Sequence, residues 1–140
     1  MDDLKTLKAQ LAGKKDVIVY GGGLVAVELA IALAEAGYRV AVVDSDASIG
    51  GKMIRLSKVF PTLDCCSCIT TPKMSAVAHH PNIQLLTYHE VQQLNKTDAG
   101  YSAEVLKKPR YVTEEDCTGC RQCEYACPID LPNAFDLDYG

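Results

Sequence analysis

The chain has 140 residues, 48% of them hydrophobic and 23% charged, a composition that fits one folded domain or a small domain plus part of another and excludes wholesale disorder. A net charge of −4 argues against general attraction to nucleic acid or anionic lipid. A membrane-spanning helix needs roughly 18 apolar residues in a row, whereas the longest candidate, Val17 to Val27, has 11, includes three glycines and stops at Glu28. Without a basic start leading into an apolar core, the chain is expected to be soluble and cytoplasmic, with no membrane insertion and no nucleic-acid partner.

Leu4, Leu7 and Leu11 recur at helical spacing before Gly13, which predicts a short amphipathic helix over 2–13. The run Val17-Ile18-Val19-Tyr20 then reads as a buried strand feeding the turn Gly21-Gly22-Gly23. Leu24 to Ala36 are nearly all helix formers, with Ala26, Leu29, Ala30 and Leu33 placed on one face, and Gly37 ends the helix. Arg39 to Val43 is a second apolar strand closing at Asp44. Strand, glycine turn, helix and strand make a βαβ unit with a parallel pair, and the fold class expected is α/β.

Beyond Asp44 the pattern weakens. Lys52 to Phe60 is expected to be helical up to Pro61, and Ser75 to His80 to form a short helix before Pro81. Ile83 to Thr87 reads as a strand; Gln92–Leu94 and Ser102–Leu106, joined through Asp98-Ala99-Gly100, read as a hairpin. Lys108-Pro109-Arg110 is the candidate linker, because the charge balance changes there. Residues 1–110 hold 13 Lys/Arg against 11 Asp/Glu, while residues 111–140 hold Arg121 against seven acids. Two domains are therefore expected, 1–110 and 111–140.

Gly21-Gly22-Gly23-Leu24-Val25-Ala26 is a G-x-G-x-x-A fingerprint between a strand and a helix. Gly21 permits the sharp turn, Gly23 lets a pyrophosphate reach the backbone N–H groups at the helix start, and Ala26 keeps helix and strand close. Asp44, 23 residues after Gly21, stands where a carboxylate would bind ribose hydroxyls and would disfavour a 2′-phosphate, so NADP is not expected. The bland alternative is a turn that merely joins strand to helix. Gly50-Gly51 resembles the extension found in flavoproteins of the glutathione and thioredoxin reductase superfamily, which makes FAD the expected dinucleotide.

Seven cysteines in two tight clumps, without an export signal, do not look like a disulfide framework and point to metal ligands or redox thiols. Cys117, Cys120, Cys123 and Cys127 make a C-x2-C-x2-C-x3-C-P run, a spacing that wraps thiolates around a 4Fe–4S cube. A zinc knuckle or plain free thiols are the alternatives. In two-cluster ferredoxins the fourth cysteine, here Cys127, serves the other cluster, and no second motif follows before Gly140. Cys65 and Cys68, with Cys66 between, form a C-x-x-C pair that could be a dithiol relay, could supply cluster ligands, or could simply be small buried side chains. His79-His80-Pro81 reads as a helix end, and Lys52, Arg55 and Lys58 as a solvated row with a possible phosphate contact.

The order of motifs carries more than any one of them. The glycine fingerprint, Ser48-Ile49-Gly50-Gly51-Lys52-Met53, Phe60-Pro61-Thr62-Leu63-Asp64-Cys65, Thr71-Pro72-Lys73-Met74, His80-Pro81-Asn82-Ile83, Lys107-Lys108-Pro109-Arg110-Tyr111-Val112 and the final cysteine run resemble the A-type iron–sulfur flavoprotein subunit of heterodisulfide reductase, from about residue 14 onward. The resemblance implies a Rossmann-like, thioredoxin-reductase-like FAD domain interrupted by an inserted ferredoxin domain. It implies electron transfer between FAD and 4Fe–4S clusters towards disulfide reduction, with other subunits of such a complex and an electron-donor protein as partners. Carried over by position, Gly21, Gly23, Ala26, Asp44, Gly50 and Gly51 match FAD-binding positions, and Cys117, Cys120, Cys123 and Cys127 match cluster ligands. Cys65 and Cys68 match a C-x-x-C pair of the family, while Cys66 departs from it. The family's FAD domain resumes after the insertion, so these residues are expected to be an amino-terminal part of it. The competing reading is a non-catalytic, cluster-bearing adaptor module that completes its fold on a partner.

Overall fold

The computed structural model describes residues 16–98, 100–113 and 115–129, so the helix expected over 2–13 lies outside the described residues. Two compact units divide the chain, Met1–Lys108 and Pro109–Gly140. Among the described residues no helix is long and apolar enough to cross a membrane.

In the first unit, β1 (Val17–Tyr20) pairs in parallel with β2 (Val40–Asp44), Val17 opposite Val40 and Tyr20 opposite Val43. β2 pairs in parallel with β3 (Ile83–Thr87), from Val40 opposite Ile83 to Asp44 opposite Thr87, giving the order β1-β2-β3. Parallel strands are covered on both faces, which is why central β2 is a continuous apolar run, buried throughout. Between β1 and β2 the chain crosses through α1 (Leu24–Glu35), ended by Gly37 at φ +91°, whose N–H donates to the Ala34 carbonyl at 3.1 Å.

The buried side of α1 differs from the expected face. Val27, Ala30 and Ala34 are buried, whereas Leu29 is 48% exposed. α1 is apolar on nearly every side, so the sequence has no single stripe, and the helix is gripped from two directions. Ala30 and Ala34 pack with Val19, Val40 and Val42 of the sheet, supported by partly buried Ala26 and Leu33. Val27 packs instead with Ile49 and Val77. Full burial of a valine contributes about 1.5–3 kcal/mol, so Val27 and Val77 tie α1 firmly to the next helix.

That next helix, α2, spans Cys66–His79 rather than starting at Ser75. The expected helix over 52–60 is also revised. Gly51–Arg55 forms a five-residue 3-10 segment, and Leu56 is already extended. Residues 56–64 fold back as a loop closed by Val59 N–H to Asp64 O (3.0 Å), Leu63 N–H to Val59 O (2.7 Å) and a Lys58–Cys65 bridge, with a cis Phe60–Pro61 peptide. The loop delivers the chain to the start of α2.

β4 (His89–Thr97) and β5 (Gly100–Lys107) form the expected antiparallel hairpin, longer than predicted and irregular between Val91 and Gln93. Its base is stitched to the loop after β2. Tyr88, at φ +61°, donates its N–H to Asp46 O at 2.8 Å. Lys108 donates its N–H to Tyr88 O (3.0 Å) and its Nζ to Ser45 O (3.2 Å).

In the second unit the described regular element is one turn, α3 (Gln122–Tyr125). Arg121, at φ +62°, holds Glu124 with two hydrogen bonds of 2.8 Å and lies 5.7 Å from the Tyr125 ring centre. Every described residue from 111 to 129 is exposed.

Candidate functional site

The turn between β1 and α1 is built from backbone first. Gly21, at φ +104°, makes the corner, and its N–H donates to Val43 O at 2.7 Å, which continues the sheet into the turn. Gly50 N–H donates to Gly22 O at 2.6 Å, and Gly23 and Gly50 form a parallel bridge. The two glycine-rich segments therefore lie side by side. A Cβ on Gly51 would stand 3.0 Å from the Gly23 Cα, so this approach needs glycine.

At Gly23 the surroundings are open: an added Cβ would meet nothing within 4 Å. Gly23 is also the N-cap of α1, with no side-chain cap and no acid in the first turn. A helix start with uncapped N–H groups, a favourable dipole and free space beside it fits a phosphate-bearing group. Asp44, at the end of β2, is 7% exposed, and its Oδ1 accepts the Asp46 N–H at 3.1 Å. Its Oδ2 occupies the position a Cβ on Gly22 would take. Gly22 is thus the residue that the fingerprint reading passed over, since its missing side chain is what admits the carboxylate. Three glycines in a row were the available signal. Ala26, partly buried against Val19 and Ala30, keeps α1 close to the sheet.

Cys65 and Cys68 are joined as a disulfide, with Cα atoms 5.2 Å apart. Cys65 is the N-cap of α2, and its Sγ accepts the Cys68 N–H at 3.2 Å. Both residues are exposed, whereas Cys66 is a free thiol buried in the core side of the helix. Helix α2 reaches the second glycine segment as well: a Cβ on Gly50 would stand 3.0 Å from Met74 Sδ.

Cys117, Cys120, Cys123 and Cys127 are all free and exposed. Gly119 at φ +69° and Arg121 at φ +62° bend the chain between them. The Cys120 thiol lies below its ordinary value, because the Gln122 backbone and then the Thr118 side chain hydrogen-bond its sulfur. Four accessible thiols within eleven residues are the soft donor type that iron–sulfur clusters require. Among the described residues, no group of three or more His, Cys, Asp or Glu side chains is drawn together as a bound metal would need.

The remaining candidates stay peripheral. Lys52, Arg55 and Lys58 are exposed. His79 Nδ1 lies 2.8 Å from Ser75 O, and His80 Nδ1 accepts the Asn82 N–H at 3.1 Å, so both rings serve the end of α2.

Residues 16–56 match the pyridine nucleotide-disulphide oxidoreductase family, and residues 110–131 match the 4Fe-4S binding domain family. The whole chain is 41% identical over 140 residues to an A-type iron-sulfur subunit of CoB–CoM heterodisulfide reductase from Methanopyrus kandleri, covering 21% of that protein. It is 45% identical over 126 residues (90% of this chain, 19% of the relative) to the corresponding iron-sulfur subunit from Methanocaldococcus jannaschii. It is 43% identical over 138 residues (98% of this chain, 21% of the relative) to the A-type subunit of the H2:CoB-CoM heterodisulfide,ferredoxin reductase from Methanothermobacter marburgensis. The chain thus spans about a fifth of the length of these relatives.

Among solved structures, thioredoxin reductase from T. acidophilum superposes with a TM-score of 0.56 at 23% identity, over 65% of this chain and 30% of that one. L-proline dehydrogenase from P. horikoshii gives 0.60 at 16% identity, over 66% of this chain and 19% of that one. These two likenesses establish the fold, a thioredoxin-reductase-like α/β arrangement. The two family matches assign FAD and a 4Fe–4S cluster as the cofactors of the two segments. With more than 40% identity to these relatives across nearly all of its residues, and spanning about a fifth of their length, this chain belongs to the family of A-type iron–sulfur subunits of heterodisulfide reductase.

Proposed function

We propose that this chain holds FAD at the Gly21–Gly23 turn and a 4Fe–4S cluster on Cys117, Cys120, Cys123 and Cys127, and serves electron transfer between them within a heterodisulfide-reductase-like oxidoreductase. The observation that carries the reading is the uncapped start of α1 opening onto free space at Gly23, with the buried Asp44 carboxylate at the end of the neighbouring strand. Bound FAD would supply two-electron exchange and the cluster one-electron steps. The first-turn N–H groups of α1 offset pyrophosphate charge, Asp44 accepts ribose hydroxyls, and Gly50 and Gly51 let the second loop close against the first. Ala26 sets the helix-to-sheet distance. Relatives named as parts of CoB–CoM heterodisulfide reductases support other subunits of such a complex and an electron-donor protein as partners. Exposed free thiols support a cytoplasmic location, where reducing conditions keep them available to iron.

A cluster-bearing adaptor is the second reading. It is favoured by β1, which pairs only with β2 among the described residues and leaves Tyr20 61% exposed. One absorption spectrum separates the two, taken after reconstitution with iron and sulfide under anaerobic conditions, incubation with FAD and removal of the excess. Flavin bands on a broad iron–sulfur shoulder are the expected result. A shoulder without flavin overturns the electron-transfer reading for this chain and leaves the adaptor.

A further inference from the structure

Lys108 closes the first unit, and Pro109 opens the second. Both the backbone and the side chain of Lys108 reach back to the loop after β2. The Lys108 N–H donates to Tyr88 O at 3.0 Å, the Tyr88 N–H donates to Asp46 O at 2.8 Å, and the Asp46 N–H donates to Asp44 Oδ1 at 3.1 Å. Three hydrogen bonds in series thus join the carboxylate at the end of β2 to the residue where the chain leaves the α/β unit. The Lys108 side chain adds a second connection. Its Nζ donates to Ser45 O at 3.2 Å, lies 5.3 Å from the Tyr88 ring centre and stands 4.0 Å from Glu90 Oε2.

The middle of this series is strained. Tyr88 sits at φ +61°, a left-handed conformation that a bulky side chain adopts only where its surroundings over-determine it. Here its N–H and its carbonyl are both engaged, and its ring lies beside the Lys108 ammonium. Tyr88 follows directly on Thr87, the β3 residue paired with Asp44, so it is held close to the carboxylate by the sheet as well. An ionised carboxylate has about four acceptor sites. The Asp46 N–H uses one on Asp44, which leaves others for hydroxyl donors from a ligand. A donor that fixes the carboxylate fixes the acceptor of the Asp46 N–H, and hydrogen bonds in a chain strengthen one another.

We infer that Asp44, Asp46, Tyr88 and Lys108 form a relay through which a dinucleotide held at Asp44 tightens the exit of the first unit, with Lys108 a positioning residue for that carboxylate. The inference rests on the proposed placement of FAD ribose hydroxyls at Asp44. Those hydroxyls hold the carboxylate against the Asp46 N–H; the Asp46 carbonyl then holds Tyr88, and the Tyr88 carbonyl holds Lys108. Coupling of this kind is reciprocal. Whatever steadies Lys108 strengthens dinucleotide binding by the same factor by which the dinucleotide steadies Lys108. The bond from Nζ to Ser45 O acts in the same direction, since it holds the residue between Asp44 and Asp46 in place. Occupancy of the nucleotide site is thereby registered at the residue that leads into the cysteine-bearing unit.

The test uses the full chain, reconstituted anaerobically with iron and sulfide, and reads amide hydrogen exchange residue by residue by mass spectrometry with electron-transfer fragmentation. Without FAD, Asp44→Ala removes the acceptor of the Asp46 N–H. It is expected to speed exchange at Asp46, Tyr88 and Lys108 about threefold or more, with buried Ala30 and Ala34 of α1 within about twofold of the parent. Asp44→Asn keeps an oxygen for that N–H and should restore most of the protection. Lys108→Met, at a partly exposed side chain, gives the reading from the other end, with Asp46 exchanging about threefold faster. Saturating FAD should slow all three amides of the parent about threefold or more. In a titration, Lys108→Met should raise the FAD Kd about threefold, and Lys108→Arg, which keeps a donor for Ser45 O, should bind as the parent does. Unchanged exchange at Lys108 in Asp44→Ala and at Asp46 in Lys108→Met, acceleration spread equally over α1, or protection by FAD that stops at Asp46 would each overturn the relay. If FAD does not bind, the proposed function falls, while the flavin-free comparisons still support or overturn the relay by themselves.

Discussion

Replacing Gly23 by alanine separates a binding role from a folding role at one atom. The position has φ −67° and ψ 172°, which alanine adopts without strain, and the new Cβ would meet nothing within 4 Å. Alanine is a poorer N-cap than glycine by about 0.5–1 kcal/mol, while restricting the unfolded chain returns about 0.4–1 kcal/mol. The two cancel to within about 1 kcal/mol, so the flavin-free protein should keep its urea midpoint. A bound pyrophosphate would meet the methyl group in the space it needs. Each hydrogen bond from a helix N–H to a charged phosphate contributes about 1.5–3 kcal/mol, and displacing two of them costs at least about 3 kcal/mol. That corresponds to a rise in the FAD Kd of more than about a hundredfold. The assay pairs a urea melt of the flavin-free chain with titration of FAD by fluorescence quenching. An unchanged Kd would refute the placement of phosphate at this turn, and a stability loss above about 2 kcal/mol would refute the open space at Gly23.

The neighbouring glycine should behave in the opposite way. Gly22→Ala drives a methyl into the Asp44 carboxylate and within 2.8 Å of Ile49 Cγ2, so the carboxylate must turn and give up the Asp46 N–H. A loss of about 1.5–3 kcal/mol is expected in the urea melt even without FAD. Gly50→Ala combines φ +111° with a Cβ at 3.0 Å from Met74 Sδ and closer still to Ile54, and should lower stability by about 1–3 kcal/mol in the same melt. Cys123→Ser should remove most of the iron–sulfur absorbance while leaving the urea midpoint of the α/β unit where it was, since the residue lies in the other unit. Lys108→Met, which deletes the Nζ hydrogen bond to Ser45 O, should cost no more than about 1 kcal/mol and weaken FAD binding slightly, read from the same titration.

The βαβ unit was legible because each of its signals is local and strong. Val17–Tyr20 and Val40–Val43 are apolar runs bounded by glycine or aspartate, and Gly21 and Gly37 adopt the positive φ that the turn and the helix end demand. Helix α2 was legible only at its end. Cys66-Ser67-Cys68-Ile69-Thr70-Thr71 are weak helix formers and Pro72 ordinarily breaks a helix, yet Cys66, Thr70 and Val77 are buried along it. Tertiary packing overrides propensity there, and a single sequence carries no sign of it. The same holds for 52–60, where helical composition yields to a loop that must return the chain to Cys65. At the glycine turn the sequence pointed to a strand, a tight turn at Gly21 and an acid closing the next strand at Asp44, but the contact between Gly22 and the carboxylate is a three-dimensional fact. The Thr118 contact to the Cys120 sulfur likewise had no sequence signal.

Because every described residue between 111 and 129 faces solvent, that stretch has no apolar interior around which to condense. If its four sulfurs hold a cluster as proposed, a short acidic segment of this kind would gain its interior from that cluster, as small metal-bound domains do. Synthesis of the chain in iron-poor conditions would then yield molecules finished at one end and open at the other. A protease would find the acidic end long before the α/β end. Iron supply would in this way set how much of the acidic end withstands proteolysis.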